Sequence, residues 1–382
     1  MCLNVVLGLF LLLGKREWKL SITLFTSESV TDGHPDKICD QIADAILDAA
    51  LTEDKNSKMA VEATIIDDFV LVYGEANTQA KLDYAAIAKK VIQDIGYTET
   101  YHVTVKVSEQ SSEIYKAVTE NEMIAAGDQG IMFGYATNET ESYMPLSIDL
   151  AHKLSKKLSE IKKDVPWLKP DGKTQVTVAY ENGLPSYVHT ILVSASHDEG
   201  IDHETIVNTI MESVIKPVVD SKWLRDDTKF IINPSGSFSI AGSFSDSGTT
   251  GRKLVVDSYG GMARIGGGAF SSKDPSKVDR SAAYYARHVA KSVVAAGLCD
   301  RLEIQLSYAI GLEGPLSIHI DTFGTEKKDI SVILDTINRN FNFNVQQMIF
   351  ELDLLRPIYR ETVNFGHFGR DGFPWEDVRI LK

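Results

Sequence analysis

The chain has 382 residues, 43% of them hydrophobic and 24% charged, with a formal net charge of −14. That balance is ordinary for a globular protein and excludes a disordered one, and the length allows two or three packed units. The acidity excludes a nucleic-acid binder, which needs a broad positive footprint, and points to a small-molecule partner.

At the start of the chain, Leu3 to Leu13 is apolar apart from Asn4, and Lys15, Arg16 and Lys19 follow it. Spanning a bilayer takes about 20 apolar residues. A secretory signal carries its positive charge before the apolar run and a small-residue cleavage site after it. Residues 1–21 are therefore read as a dispensable leader or the product of an upstream start codon, with no membrane role. Cys2, Cys39 and Cys299 are odd in number and far apart, which fits a reducing cytoplasm and excludes a disulfide framework.

Beyond the leader, one architectural module recurs three times: a helix, a β-hairpin and a second helix. In the first copy Ile38, Ile42, Ile46 and Ala49 share a helical face, strand-like runs flank Asp67-Asp68, and Leu82 to Ile95 reads as helix. In the second, a helix over 148–161 leads to a hairpin turned at Asn182-Gly183, where both residues accept positive φ. A helix over 201–215 follows, ending near Pro217. In the third, a helix over 278–296 ends at Gly297, strands over 302–310 and 316–322 turn through Gly311 to Pro315, and a helix covers 330–341. Paired strands with helices gathered on one face predict an α+β protein.

The segments that break this pattern carry the chemistry. Between Arg252 and Lys291 stand eight basic residues (Arg252, Lys253, Arg264, Lys273, Lys277, Arg280, Arg287, Lys291) against three acids, Asp257, Asp274 and Asp279. Gly266-Gly267-Gly268 lets a backbone approach a ligand closely, and Lys273 and Lys277 precede a predicted helix start, which favours anions. The stretch Gly266 to Arg280 is thus read as an anion cradle. Neither the P-loop nor the dinucleotide fingerprint is present. In Gly33-His34-Pro35-Asp36-Lys37, Pro35 suits a first helical position, so His34 and Asp36 project from a helix start. Asp36 and Asp279 together make candidate Mg²⁺ carboxylates.

These segments resemble the S-adenosylmethionine synthetases (methionine adenosyltransferases) over Leu24 to Trp375. The resemblance lies in Phe25 to Val30 with Gly33 to Lys37, Gly127-Asp128-Gln129-Gly130 through Thr140, and Gly251-Arg252-Lys253. It continues through Asp257 to Arg264, Gly266 to Ala283, and Tyr359 to Gly369 with Phe373-Pro374-Trp375. It implies a fold of three similar α/β-sandwich domains in pseudo-threefold arrangement: 22–123 with a gating loop near 110–126, then 124–238 and 239–382. The implied reaction is attack of the methionine sulfur on the ribose 5′ carbon of ATP, then hydrolysis of the released triphosphate to pyrophosphate and phosphate.

By the same resemblance, His34, Lys273 and Arg252 would be catalytic. Asp128, Asp171, Lys173, Phe238, Asp246, Lys253 and Ala269 would join them around ATP, Phe238 by stacking on the adenine. Glu75, Gln110, Asp246 and Lys277 would hold methionine. Asp36 and Asp279 would bind Mg²⁺, two ions per site, and Glu62 would seat K⁺. The sites would lie between subunits of a cytoplasmic homodimer or tetramer, with no nucleic-acid or membrane partner. Three departures stand out: Ser237 in place of the family arginine, Ile265 in place of a histidine, and Gln110-Ser-Ser-Glu-Ile114 without the gate's proline, which loosens that loop.

Overall fold

The computed structural model describes residues 22–109 and 124–382. The leader, Gln110 and most of the gating loop lie outside the described residues.

The three modules form as the pattern predicts. The first runs α1 (Pro35–Glu53), β2 (Lys58–Ile66), β3 (Phe69–Asn77), α2 (Tyr84–Ile95) and β4 (His102–Ser108), preceded by β1 (Ile22–Val30). The second is preceded by β5 (Gly130–Thr137) and runs α3 (Leu146–Ile161), β6 (Leu168–Glu181), β7 (Leu184–His197), α4 (His203–Ile210) and β8 (Lys229–Ile232). The third is preceded by the two-residue β9 (Gly248–Thr249) and runs α5 (Val278–Ala295), β10 (Arg301–Tyr308), β11 (Ser317–Asp321) and α6 (Ile330–Asn340).

Local chemistry sets these elements. The second hairpin turns with Asn182 at φ 54° and Gly183 at φ 80°, the left-handed pair that a two-residue turn requires. At the start of α1, His34 caps with Pro35 in the first position, and α2 runs from an Asp83 cap to left-handed Gly96.

The preceding strands do not join their own modules. Strand β1 pairs antiparallel with β6, β5 pairs with β10, and β9 pairs with β2. Each sheet therefore takes an edge strand from ahead of another module, giving orders β1-β6-β7-β8, β5-β10-β11 and β4-β3-β2-β9. The exchange is cyclic, and it locks the three modules into one body. Helix α5 lies at the centre, buried along almost its whole length. No helix of the described residues is long and apolar enough to cross a membrane.

Candidate active site

Helix α1 positions the site through four carboxylates spaced four residues apart: Asp36, Asp40, Asp44 and Asp48. Like charges at that spacing repel one another along a helix unless each has a partner, and here the four clamp three loops, Asp36 and Asp40 sharing the one at residues 249–253. Asp36 accepts the Thr249 N–H at 3.0 Å and Lys253 Nζ at 2.5 Å, with Arg252 at 3.6 Å. Asp40 accepts the Gly251 N–H and Lys37 Nζ, both at 2.9 Å. Asp44 accepts the Ser272 N–H at 3.0 Å and pairs with the Arg280 guanidinium. Asp48 accepts the N–H groups of Tyr359 and Arg360 at 2.8 Å. The sequence reading singled out Asp36 alone, although the four-residue repeat of Asp was there to be seen.

His34 is buried at the head of α1, and its Nδ1 accepts the Asp36 N–H at 3.2 Å. Burial, reinforced by Lys253, lowers its pKa to about 3, so the ring is neutral. With Nδ1 an acceptor, the hydrogen-bond pattern assigns the proton to Nε2. Burial opposes ionisation of Asp36, but Lys253 and the Thr249 N–H outweigh it and hold the carboxyl below its ordinary range. Lys173 stands opposite Val30 at the end of β1 and contributes to the field at His34. His34, Asp36, Lys173, Arg252 and Lys253 thus gather at one place.

A second group forms beside β2. Lys273 bridges to Ala60 and pairs with Asp279. Glu75 is the partner of Ala60 across β2 and β3, and Glu62 accepts the Tyr73 hydroxyl at 2.9 Å. Lys277 lies close by, its Nζ 3.2 Å from Asp274. No hydrogen bond or ion pair among the described residues joins Asp279 to the Asp36 group.

Around Lys173 lies a third group. Asp171 is buried and takes the Gly242 N–H at 3.0 Å, while its Oδ1 has no partner. Burial raises its pKa to about 6, against the Gly242 N–H and Lys173, which lower it. The Phe238 N–H donates to His197 Nε2 at 3.1 Å. Ala269 abuts Gly251, where an added Cβ would fall 2.6 Å from it. Asp246 and Asp128 are exposed, and Asp128 accepts the N–H of the next residue, Gln129.

The anion cradle needs two corrections. Half of its basic cluster serves the interior or other pairs: Arg280 pairs with Asp44, Arg264 with Glu303, and Arg287 and Lys291 with Glu376. Those acids lie far off in sequence, so a local count of charge could not reveal them. The glycine run also makes room for the protein's own atoms. A Cβ at Gly266 would fall 2.2 Å from the Ile131 carbonyl, and one at Gly268 would fall 2.0 Å from Asp279. Ile265 lines a small apolar pocket with Ile131, Tyr259, Phe270 and Asp279, while Ser237 is exposed.

Immediately before Lys273, buried Ser272 holds φ 80°, a left-handed conformation that a side chain opposes. Ser272→Gly is expected to relieve that strain and raise the melting temperature by about 1–2 °C. Differential scanning calorimetry checks it; an unchanged or lower midpoint would show that the Ser272 side chain returns more than its strain removes.

Residues 22–121, 123–238 and 240–377 match the family models for the N-terminal, central and C-terminal domains of S-adenosylmethionine synthetase. The chain is 50% identical to an S-adenosylmethionine synthase of Clostridium tetani, over 94% of this chain and 98% of that protein. It is 48% identical to one from Finegoldia magna, over 92% and 95% of the two chains. A Sorangium cellulosum enzyme of the same name is also 48% identical, over 92% of this chain and 87% of its own.

Proposed function

The chain belongs to the S-adenosylmethionine synthetase family, and from that premise we propose that it makes S-adenosylmethionine from ATP and L-methionine. The methionine sulfur attacks the ribose 5′ carbon, and the released triphosphate is then hydrolysed to pyrophosphate and phosphate. The observation that carries this reading is the neutral His34 ring set beside Asp36, Lys253, Arg252 and Lys173 at the head of a helix.

A thioether sulfur needs no deprotonation, so no nucleophile and base pair is required. The barrier lies in alignment and in charge growing on the departing oxygen. His34 Nε2–H is the donor for that oxygen, and Lys173, Lys253, Arg252 and Lys273 supply positive charge to the phosphates. Asp171, with one buried oxygen unsatisfied, accepts from the nucleoside beside Phe238, with Ala269, Asp246 and Asp128 around it. Glu75, Lys277 and Asp246 hold the amino and carboxylate groups of methionine, together with Gln110.

The donor chemistry fits the metals. Asp36 and Asp279 are hard oxygen donors already facing lysine ammonium groups, and would hold Mg²⁺; Glu62 would serve K⁺. When bound, Mg²⁺ neutralises charge on the triphosphate. Because Asp279 and Lys273 stand apart from the Asp36 group within one chain, we assign the complete site to a homodimer or larger assembly, with one group from each copy.

The direct test is product formation: with Mg²⁺ and K⁺, full-length protein is expected to convert ATP and methionine to a sulfonium product, pyrophosphate and phosphate. Absence of the sulfonium compound by mass spectrometry would refute the reading. Asp171 gives a pH test. Its raised pKa means that it is a carboxylate above about pH 6 and protonated below, so kcat/KM for ATP is expected to fall as pH drops through about 6. Asp171→Asn should abolish that inflection; a wild-type inflection kept in the variant would assign it to another group.

A further inference from the structure

On the side of α3 that bears His152 and Lys156 lies a cavity of about 480 Å³, closed on its other side by the loop after Thr362. None of the residues placed in the active site lines it. Met144, Phe365, Phe368 and Phe373 form one apolar, largely aromatic wall, and charged side chains with His152 form the rest. An aromatic wall facing convergent polar groups, in a cavity of this size, is typical of small-molecule sites.

The polar groups are incompletely used. The Arg370 guanidinium lies over the Phe373 ring, 4.8 Å from its centroid, and donates to the Glu361 and Thr362 carbonyls. Its Nε is buried with no partner, and no carboxylate pairs with it among the described residues. His152, buried in the floor, bonds Ser29 through Nδ1, and its Nε2 lies against Gly366, where an added Cβ would fall 2.4 Å away. The rim carries Lys156, Lys153 paired with Asp149, and the exposed acids Glu361 and Asp371. Exposed charges are screened by water, so the half-buried Arg370, with its Nε buried and unpartnered among the described residues, decides the sign of ligand that the cavity accepts. The loop itself is strained: Phe365 holds φ 63°, a conformation that a bulky side chain opposes and that concentrates at binding sites.

We propose that this cavity is a second small-molecule site, separate from the active site, which takes an oxyanion carried on a flat apolar ring. The oxyanion meets Arg370, and the ring lies among Phe365, Phe373 and Met144. A phosphate ester and a carboxylate share this chemistry.

The test is calorimetric titration of the full-length protein with phenyl phosphate and, separately, benzoate. Mg²⁺ and excess imidotriphosphate, whose bridging nitrogens resist hydrolysis, keep the substrate site filled. At least one of the two is expected to bind once per chain, more tightly than inorganic phosphate. Arg370→Gln is expected to weaken binding roughly tenfold or more, as loss of a charge-assisted hydrogen bond does. Lys156→Met, a surface change that decides the question if the first variant does not fold, should weaken it about threefold. The proposal is overturned if neither probe binds, if inorganic phosphate binds as tightly as both, or if binding is unchanged in Lys156→Met and in folded Arg370→Gln.

Discussion

Asp36→Asn is expected to lower the rate of S-adenosylmethionine formation by about 10²- to 10⁴-fold while the protein stays folded. The substitution keeps the shape of the side chain, and the amide oxygen can still accept the Thr249 N–H. What it removes is the negative charge that faces Lys253 and Arg252, and with it the anionic oxygen proposed above as a donor to a hard cation. Lys253 keeps partial access to water, with its side chain 19% exposed, so it can be solvated when its partner is neutral. Were Asp36 only a charge complementing the start of α1, the variant would lose roughly 0.3–1 kcal/mol of stability and keep its rate. Steady-state kinetics across a Mg²⁺ titration, with a melting curve beside them, separates the two. A variant that retains full turnover would remove Asp36 from the chemistry and leave it as a helix-end charge.

How far the sequence could be read depended on whether the signal was local. Helical periodicity and the Asn182-Gly183 turn placed the helices and hairpins within a few residues of where they lie, because both act over a single element. The strands β1, β5 and β9 were not foreseen. Each pairs with a module other than the one that it precedes, and β9 has only two residues, too short for any pattern. The same limit applied to charge. Arg280 read as part of an anion cradle because its partner, Asp44, stands 236 positions away. Arg287 and Arg264, counted in the same local excess of positive charge, likewise have distant partners, with Glu376 and Glu303 at 89 and 39 positions. Asp36 was found through its neighbours His34 and Pro35, whereas the four-residue repeat that marks Asp40, Asp44 and Asp48 does not say what each one holds. Their meaning lies in loops that return to α1 from three other places in the chain.

Among these clamps the Asp44–Arg280 pair is expected to matter most for stability. Arg280→Met should destabilise the fold by about 3–5 kcal/mol, the usual result of removing one partner from a buried ion pair. Both side chains are fully buried, so Asp44 would remain in the interior with a charge that nothing neutralises. Arg280 also donates to the Lys273 carbonyl at 3.0 Å, and Asp44 holds the Ser272 N–H. The pair therefore fixes the backbone at Ser272 and at Lys273, the lysine proposed above to meet the phosphates. A melting temperature lower by roughly 5–10 °C is expected. Below that melt, the enzyme should bind ATP more weakly because Lys273 is no longer held in place. Asp44→Leu combined with Arg280→Met removes both charges, and it should recover much of the stability without recovering ATP affinity, since the loop still lacks its clamp. Recovery of both would mean that the pair serves the core alone and that Lys273 is positioned by its bridge to Ala60.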